Sequence, residues 1–539
     1  MRNPYRDARR QRQNIQTASG GDIPAPTRGW NAQDPIARMK PGDAYQLDNW
    51  VCRAGYIELR KGFSEQVVGF TVVPESFLSY RAGDAEEMFC VSDGEIFDVT
   101  SSGALGAALV TGLTNSRFES INIANDAGVY MLLVNGADTP RKYDGSSFST
   151  TTITGTSGSI TLTPTTLINL MLHKRRVFLQ EADSLRVWYL AADAIAGAAG
   201  LLDLGPVFSE GGSLVGMGVW SGYNSDSGPD AVAAFITDQG QIAVYRGNDP
   251  SDVTDWFLVG VYAIGKPLGR RAVFNTASDL IIITHDGAVP LSVAMRADRT
   301  TQGGKAVTAR IQNAFSMAAT SYGTKFGWEA KLYPSGQLAI INVPIVELGR
   351  AVQFVQNTQT GGWSRFTGIS ATCWTYVNDQ IFFAGTDASG QIGVFRWDTG
   401  GSDNGEAIQC ECITAFHDFG SHGLMKEFTL MRPVIRAGPS LEPYVEVLVD
   451  YNITQPTNVP ETTGAGSGST WGEGLWGTAV WSSSNPIRLE WTSAGGIGYV
   501  AAARIRVIAD PPVSSGAYPT IRCEVIEFNF LYNRAAAFG

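Results

Sequence analysis

Cysteine and histidine are scarce in this chain, 6 and 4 among 539 residues. Cys52, Cys90, Cys373, Cys410, Cys412 and Cys523 are too thinly spread for a disulfide scaffold. Reduced thiols in a cytosolic assembly are the expectation. Metal chemistry has one place to be sought: His417 and His422 in HDFGSH, with Cys410 and Cys412 just upstream. Thiolate and imidazole suit zinc, but this spacing is not that of a known structural zinc site, so ordinary turn and strand residues are expected, with no metal and no cofactor. Charged residues make up only 17% of the chain, yet hydrophobic ones make up 44%, which excludes a disordered protein. No apolar run approaches the roughly 20 residues of a membrane helix, and no apolar core follows the opening MRNPYRDARRQRQN. Neither stable membrane insertion nor a secretory leader is therefore expected. Basic charge is in deficit, with 40 Lys and Arg against 51 Asp and Glu for a net −11, which argues against gripping phosphate backbones as the main task. An acidic wall can let DNA slide, although a mildly acidic balance also serves solubility alone.

Catalytic signatures are missing as well. There is no phosphate loop of the GxxxxGK[ST] form, and the glycines from Gly211 to Asp230 have no strand and helix around them. Paired carboxylates, or a nucleophile with its base, occur at no recognisable spacing. The Asp and Gly turns do not match the Ser-x-Asp-x-Gly-x-x-Trp hairpins of sialidase-type propellers and read as plain turns. The chain is expected not to be an enzyme.

What is abundant is Gly (61 residues), Trp (13), and a crowd of Thr, Val, Tyr and Phe, an all-β balance. The length suggests about three domains. A loose unit recurs from Met88, Tyr130, Val177, Val232, Leu280, Leu338 and Ile381, at intervals of 42 to 58 residues. Each unit is an apolar strand, a turn with Asp, Asn or Gly, and a second strand. Asp93-Gly94, Asn135-Gly136 and Asp286-Gly287 can take the positive φ of a tight hairpin. Units of this size built from short antiparallel strands predict a β-propeller of six or seven blades, because radial packing gives each small sheet a neighbour on both faces. A stack of β-sandwiches is the alternative.

The sequence divides into four parts. Residues 1–29 read as a flexible basic arm carrying Arg2, Arg6, Arg9, Arg10 and Arg12, either solvated or ordered on an acidic neighbour or DNA. Residues 30–75 read as an extended segment with entry strands, 76–400 as the propeller, and 401–539 as a β-sandwich-like domain. In that last domain Arg504 and Arg506 alternate with Ile505 and Val507, as a half-buried strand requires. Trp471, Trp476 and Trp481 recur every five residues in a Gly- and Ser-rich loop, a period of neither helix nor strand. They either fold back onto the domain or form a contact patch for a neighbouring subunit.

Arg28 to Phe63, RGWNAQDPIARMKPGDAYQLDNWVCRAGYIELRKGF, resembles the N-terminal signature of the tail tube or nozzle proteins of podovirus-type phages and prophages. The matching positions are Trp30, Asn31, Asp34, Pro35, Met39, Asp43, Ala44, Leu47, Asp48, Asn49, Trp50, Gly55, Leu59, Arg60 and Gly62. A second stretch, from Phe354 to Ile435 with Trp363, Cys373, Trp374, Phe395, Trp397 and Asp398, is similar to the same group's late propeller and linker. The resemblance implies a homo-oligomeric, hexameric ring below the portal and adaptor of the virion tail, assembled in the host cytoplasm. Its lumen would pass phage DNA without sequence-specific contacts, and its outside would receive tail fibres or spikes. Trp30 and Trp50 would anchor the extended segment in apolar grooves of a neighbour, or the segment would merely form the domain's first strand. A receptor-binding or glycan-degrading tail-tip protein is the alternative function, and a minor head protein a third. The loops Gly211 to Asp230 and Gly464 to Trp481 are candidates for a gate on the axis.

Overall fold

The computed structural model describes residues 18–83, 85–221, 231–276, 279–437, 441, 443–454, 487–509 and 522–534. The fold is all-β and has two lobes, a seven-bladed propeller and a β-sandwich.

Each of the seven repeat units supplies the second and third strands of one blade. Val232–Thr237 and Gln241–Arg246 pair antiparallel in the fourth blade, with Leu214–Trp220 on one side and Phe257–Ala263 on the other. The innermost strands Ser76–Ala82, Glu119–Asn125, Leu167–His173, Leu214–Trp220, Val273–Asn275, Glu329–Tyr333 and Ser370–Val377 contact one another in turn, and the last returns to the first. The ring is sealed by the chain itself. Phe63–Val68, which precedes the first blade, pairs antiparallel with Ile392–Trp397 as the outer strand of the seventh. Apolar side chains fill the space between blades. Phe63, Phe383 and Phe395 pack there with ring centroids 5.0 to 5.3 Å apart, and each large ring buried contributes about 1.5–3 kcal/mol.

Two features depart from the sequence reading. The first and fifth blades have three strands each, and after the fifth the chain forms a helix at Gln312–Tyr322. That helix buries Phe315, Ala318 and Ala319, spaced for one helical face, against Trp328 and Phe354. The second departure is in the domain boundaries. Ser19–Pro24, inside the expected arm, pairs with Cys523–Arg534, while Asp43–Asp48 pairs with Ile408–Thr414. The sandwich is therefore built from both ends of the chain. Its core lies between two sheets and includes Trp50, Ile57, Phe428, Ile505, Val525 and Phe528. Ser19–Pro24 and Ile408–Thr414 find their partners hundreds of residues away, so local periodicity carries no sign of where they pair.

Among the described residues no helix is long and apolar enough to cross a membrane. His173 on the third blade is fully buried, with Nε2 3.1 Å from the Gly247 carbonyl and its ring between Phe178 and Trp256. Burial pushes its pKa down to about 4. The unfolded chain binds this proton first, so His173 withdraws stability as pH falls from about 6.5 toward 4. Wild type is expected to lose more stability than His173→Gln across that window in urea titrations, with the difference between the two independent of pH above pH 7.

Candidate functional site

The seam between the lobes is where the signature segment lies, and its polar residues are consumed there. Asn31 uses both ends of its amide. Nδ2 donates to Asp34 Oδ2 at 2.9 Å and Asp43 Oδ2 at 3.0 Å, and Oδ1 accepts from the backbone N–H groups of Gln33 and Asp34. Asp43, 1% exposed, also accepts from Arg28 Nε at 2.8 Å and from Arg310 Nη1 at 2.7 Å. Arg310 arrives from the segment after the fifth blade, so Asp43 fastens the propeller to the sandwich.

A second node centres on Arg60, whose side chain is fully buried. Its guanidinium donates to both Asp403 oxygens at 2.8 and 2.5 Å, to Asn49 Oδ1 at 2.8 Å, and to the carbonyls of Lys61 and Thr367. All five donors are engaged, which is the condition under which a buried charge is tolerated. Asn49 has φ +62°, a conformation that asparagine tolerates better than most residues. Its Nδ2 donates to Thr367 Oγ1 and to the Gln409 carbonyl. Gly62 has its own reason: a Cβ there would stand 1.7 Å from the Ser402 carbonyl oxygen. A third node pairs Asp48 with Arg365 through two bonds of 2.8 and 2.6 Å. One continuous sheet crosses the seam here, from the sixth blade through Trp363–Phe366 and Gly29–Trp30 to Asp43–Asp48 and the sandwich.

The two anchor tryptophans are corrected by this geometry. Trp50 is 0% exposed and belongs to the sandwich core, so its indole has no surface to offer a neighbouring subunit. Trp30 is half-buried between the cores of the two lobes, 5.5 Å from Phe354 and beneath the Arg365 guanidinium at 5.8 Å. Both act within the chain, because the segment that looked extended in isolation is short strands paired at the seam. Arg2, Arg6, Arg9, Arg10, Arg12, Trp471, Trp476 and Trp481 lie outside the described residues, as do residues 222–230 of the first expected gate loop and all of the second. Leu214–Trp220 of the first is no loop but the innermost strand of the fourth blade.

Cys410 and Cys412 are buried in the sandwich, and burial raises both thiols well above their ordinary value. His417 accepts the Phe419 N–H at Nδ1, and His422 pairs with Asp418. No group of three His, Cys, Asp or Glu side chains among the described residues is arranged to hold a metal ion. Arg504 was expected to alternate with core residues, and it does, yet it is only 1% exposed because Glu411 accepts its Nε–H at 2.6 Å. Sequence reasoning missed Asp403 and Arg310, the distant partners of Arg60 and Asp43, whose only signal is that a buried charge needs a counter-charge.

Burial works against the charge of Asp43, but hydrogen bonds from Asn31 and Arg28 outweigh it and hold the carboxyl below its ordinary 3.8. Its contribution is complete above that ordinary value and is lost as pH falls through the lower folded value. The stability difference between wild type and Asp43→Asn is therefore expected to be constant from pH 6 to 8 and to shrink below pH 4, read from urea midpoints.

No family model matches the chain, and no curated protein matches it. Among solved structures, the chain is similar to BBS1N in its complex with ARL6DN soaked with lead, at 9% identity and TM-score 0.37, over 63% of this chain and 98% of that one. The mercury-soaked form of that complex gives 13% identity and TM-score 0.28, over 45% and 72%. The architecture of this chain rests on its own strand pairing: a seven-bladed propeller closed by its first strand and locked to a sandwich made from both chain ends.

Proposed function

We propose that this chain is a structural subunit of a short phage tail, a ring component of the nozzle or tail tube, rather than a catalyst. The observation that carries the reading is bare apolar surface in two places on a scaffold otherwise tied down by buried polar nodes. The outer strand of the fourth blade, Phe257–Ala263, has no strand beyond it among the described residues. Phe257, Leu258, Val259 and Val261 there are 50%, 42%, 42% and 37% exposed. On the sandwich, Ile487, Leu489, Ile497 and Tyr499 are 52%, 49%, 60% and 45% exposed. An uncharged, exposed edge strand invites pairing with another chain, and monomers rarely leave such patches uncovered. Subunits of a homo-oligomeric ring would cover them, with adaptor, portal and fibre proteins on the remaining faces.

The propeller axis supports a DNA path between subunits and not through one. Arg271, from the start of the fifth blade, reaches across to the first and second blades on the opposite side. It donates to the Glu75 carbonyl at 2.8 Å, Ser76 Oγ at 2.6 Å and Glu119 Oε1 at 2.7 Å. That bridge crosses the interior of the ring.

The test is gold labelling of released particles with an antiserum to this chain, viewed in negative stain, beside mass photometry of the purified protein. Label at the tail and a closed ring are expected. Val259→Lys with Val261→Lys should shift the ring toward monomers while leaving stability within about 0.5 kcal/mol, as for an exposed site. Unlabelled particles and a monomer at micromolar concentration would remove the assignment.

A further inference from the structure

We infer that the central funnel of the propeller binds a small organic monoanion, a carboxylate with an apolar body, held by Arg270. The funnel lies beside the Arg271 bridge and encloses about 380 Å³, within the size range of ligand pockets. Three cations, Arg270, Arg271 and Lys331, face it with two carboxylates, Glu119 and Glu329. Both carboxylates are already engaged. Glu119 accepts from Arg271, and Glu329 takes Lys331 Nζ at 3.1 Å and the Trp374 N–H at 3.1 Å. Arg270 has no ion pair among the described residues; its one hydrogen bond runs from Nη2 to the Arg117 carbonyl at 2.7 Å.

Partial withdrawal from water, with repulsion from Arg271 and Arg117, outweighs the attraction of Glu119 and Glu75, neither of which is within ion-pair distance, so the charged guanidinium is disfavoured. Burial alone already works against its charge. An anion entering the funnel relieves both, and the planar fork of arginine matches the two oxygens of a carboxylate. The excess of one positive charge sets the ligand's charge at minus one. Leu170, Met217, Phe274 and Leu332 line the same space and give an apolar body its contacts.

Calorimetric titration of the full chain with benzoate and hexanoate tests this, with neutral benzamide and inorganic phosphate as controls. Saturable one-to-one binding of a carboxylate is expected, at least tenfold tighter than benzamide or phosphate. Arg270→Gln should weaken it tenfold or more. Asn275→Asp, at an exposed position on the funnel wall, should do the same by charge repulsion, and it serves if Arg270→Gln does not fold. The inference fails if neither carboxylate saturates at millimolar concentration, if benzamide or phosphate binds as tightly, or if the folded variants bind like wild type.

Discussion

Replacing Arg60 with alanine is expected to cost about 3–5 kcal/mol, the range for removing one partner of a buried ion pair. The loss exceeds that of a surface bridge because Asp403 remains behind with its carboxylate 8% exposed and its bidentate partner gone. Asn49 Oδ1 loses a donor in the same step, and so does the Thr367 carbonyl. Arg60→Lys keeps the charge but has no fork to span both Asp403 oxygens, so it should recover less than half of the loss. Urea midpoints followed by tryptophan fluorescence measure both variants. A change under about 0.5 kcal/mol for Arg60→Ala, the scale of an exposed substitution, would mean that the seam does not hold the lobes together.

Trp50→Ala is the second large effect, about 3–5 kcal/mol for truncating a buried tryptophan. The indole packs in the core between the two sandwich sheets, and its Nε1 has no hydrogen-bond partner. Trp50→Phe therefore loses volume but no hydrogen bond and should cost clearly less than the alanine change. The pair separates packing from docking. A residue that anchors one subunit in another would leave the isolated chain's stability nearly unchanged and weaken assembly alone, whereas Trp50 is expected to unfold the sandwich before assembly is at issue.

Propeller hairpins were legible because each is a local object. Asp93 and Gly94 adopt φ of +50° and +70°, the tight turn that the dipeptide predicts. Asn135-Gly136 does not turn as a two-residue loop; the Asn135 side chain instead caps the N–H groups of Ala137 and Asp138. In the fifth blade Thr284 pairs with Gly287, so the turn falls at His285 and Asp286, one residue early. Innermost strands were illegible for a different reason. Glu119–Asn125, ESINIAN, alternates only briefly, and the turn that joins it to the next strand, Asp126-Ala127, carries no glycine to mark a hairpin. The seam was half legible. Its motif letters could be matched one by one, yet their use in tying two lobes together depends on partners such as Asp403 and Arg310 hundreds of residues away.

The closing strand has a consequence for synthesis. Because Phe63–Val68 completes the seventh blade with Ile392–Trp397 and Ser19–Pro24 pairs with Cys523–Arg534, each of these strands waits for a partner made hundreds of residues later. Pairings of such long range fold slowly, since the loop they close must be ordered before the contacts form. A chain cut short would keep its early blades but present an open ring and an unpaired sandwich sheet. The polypeptide thereby checks its own synthesis: only a copy that extends through Cys523–Arg534 closes both lobes.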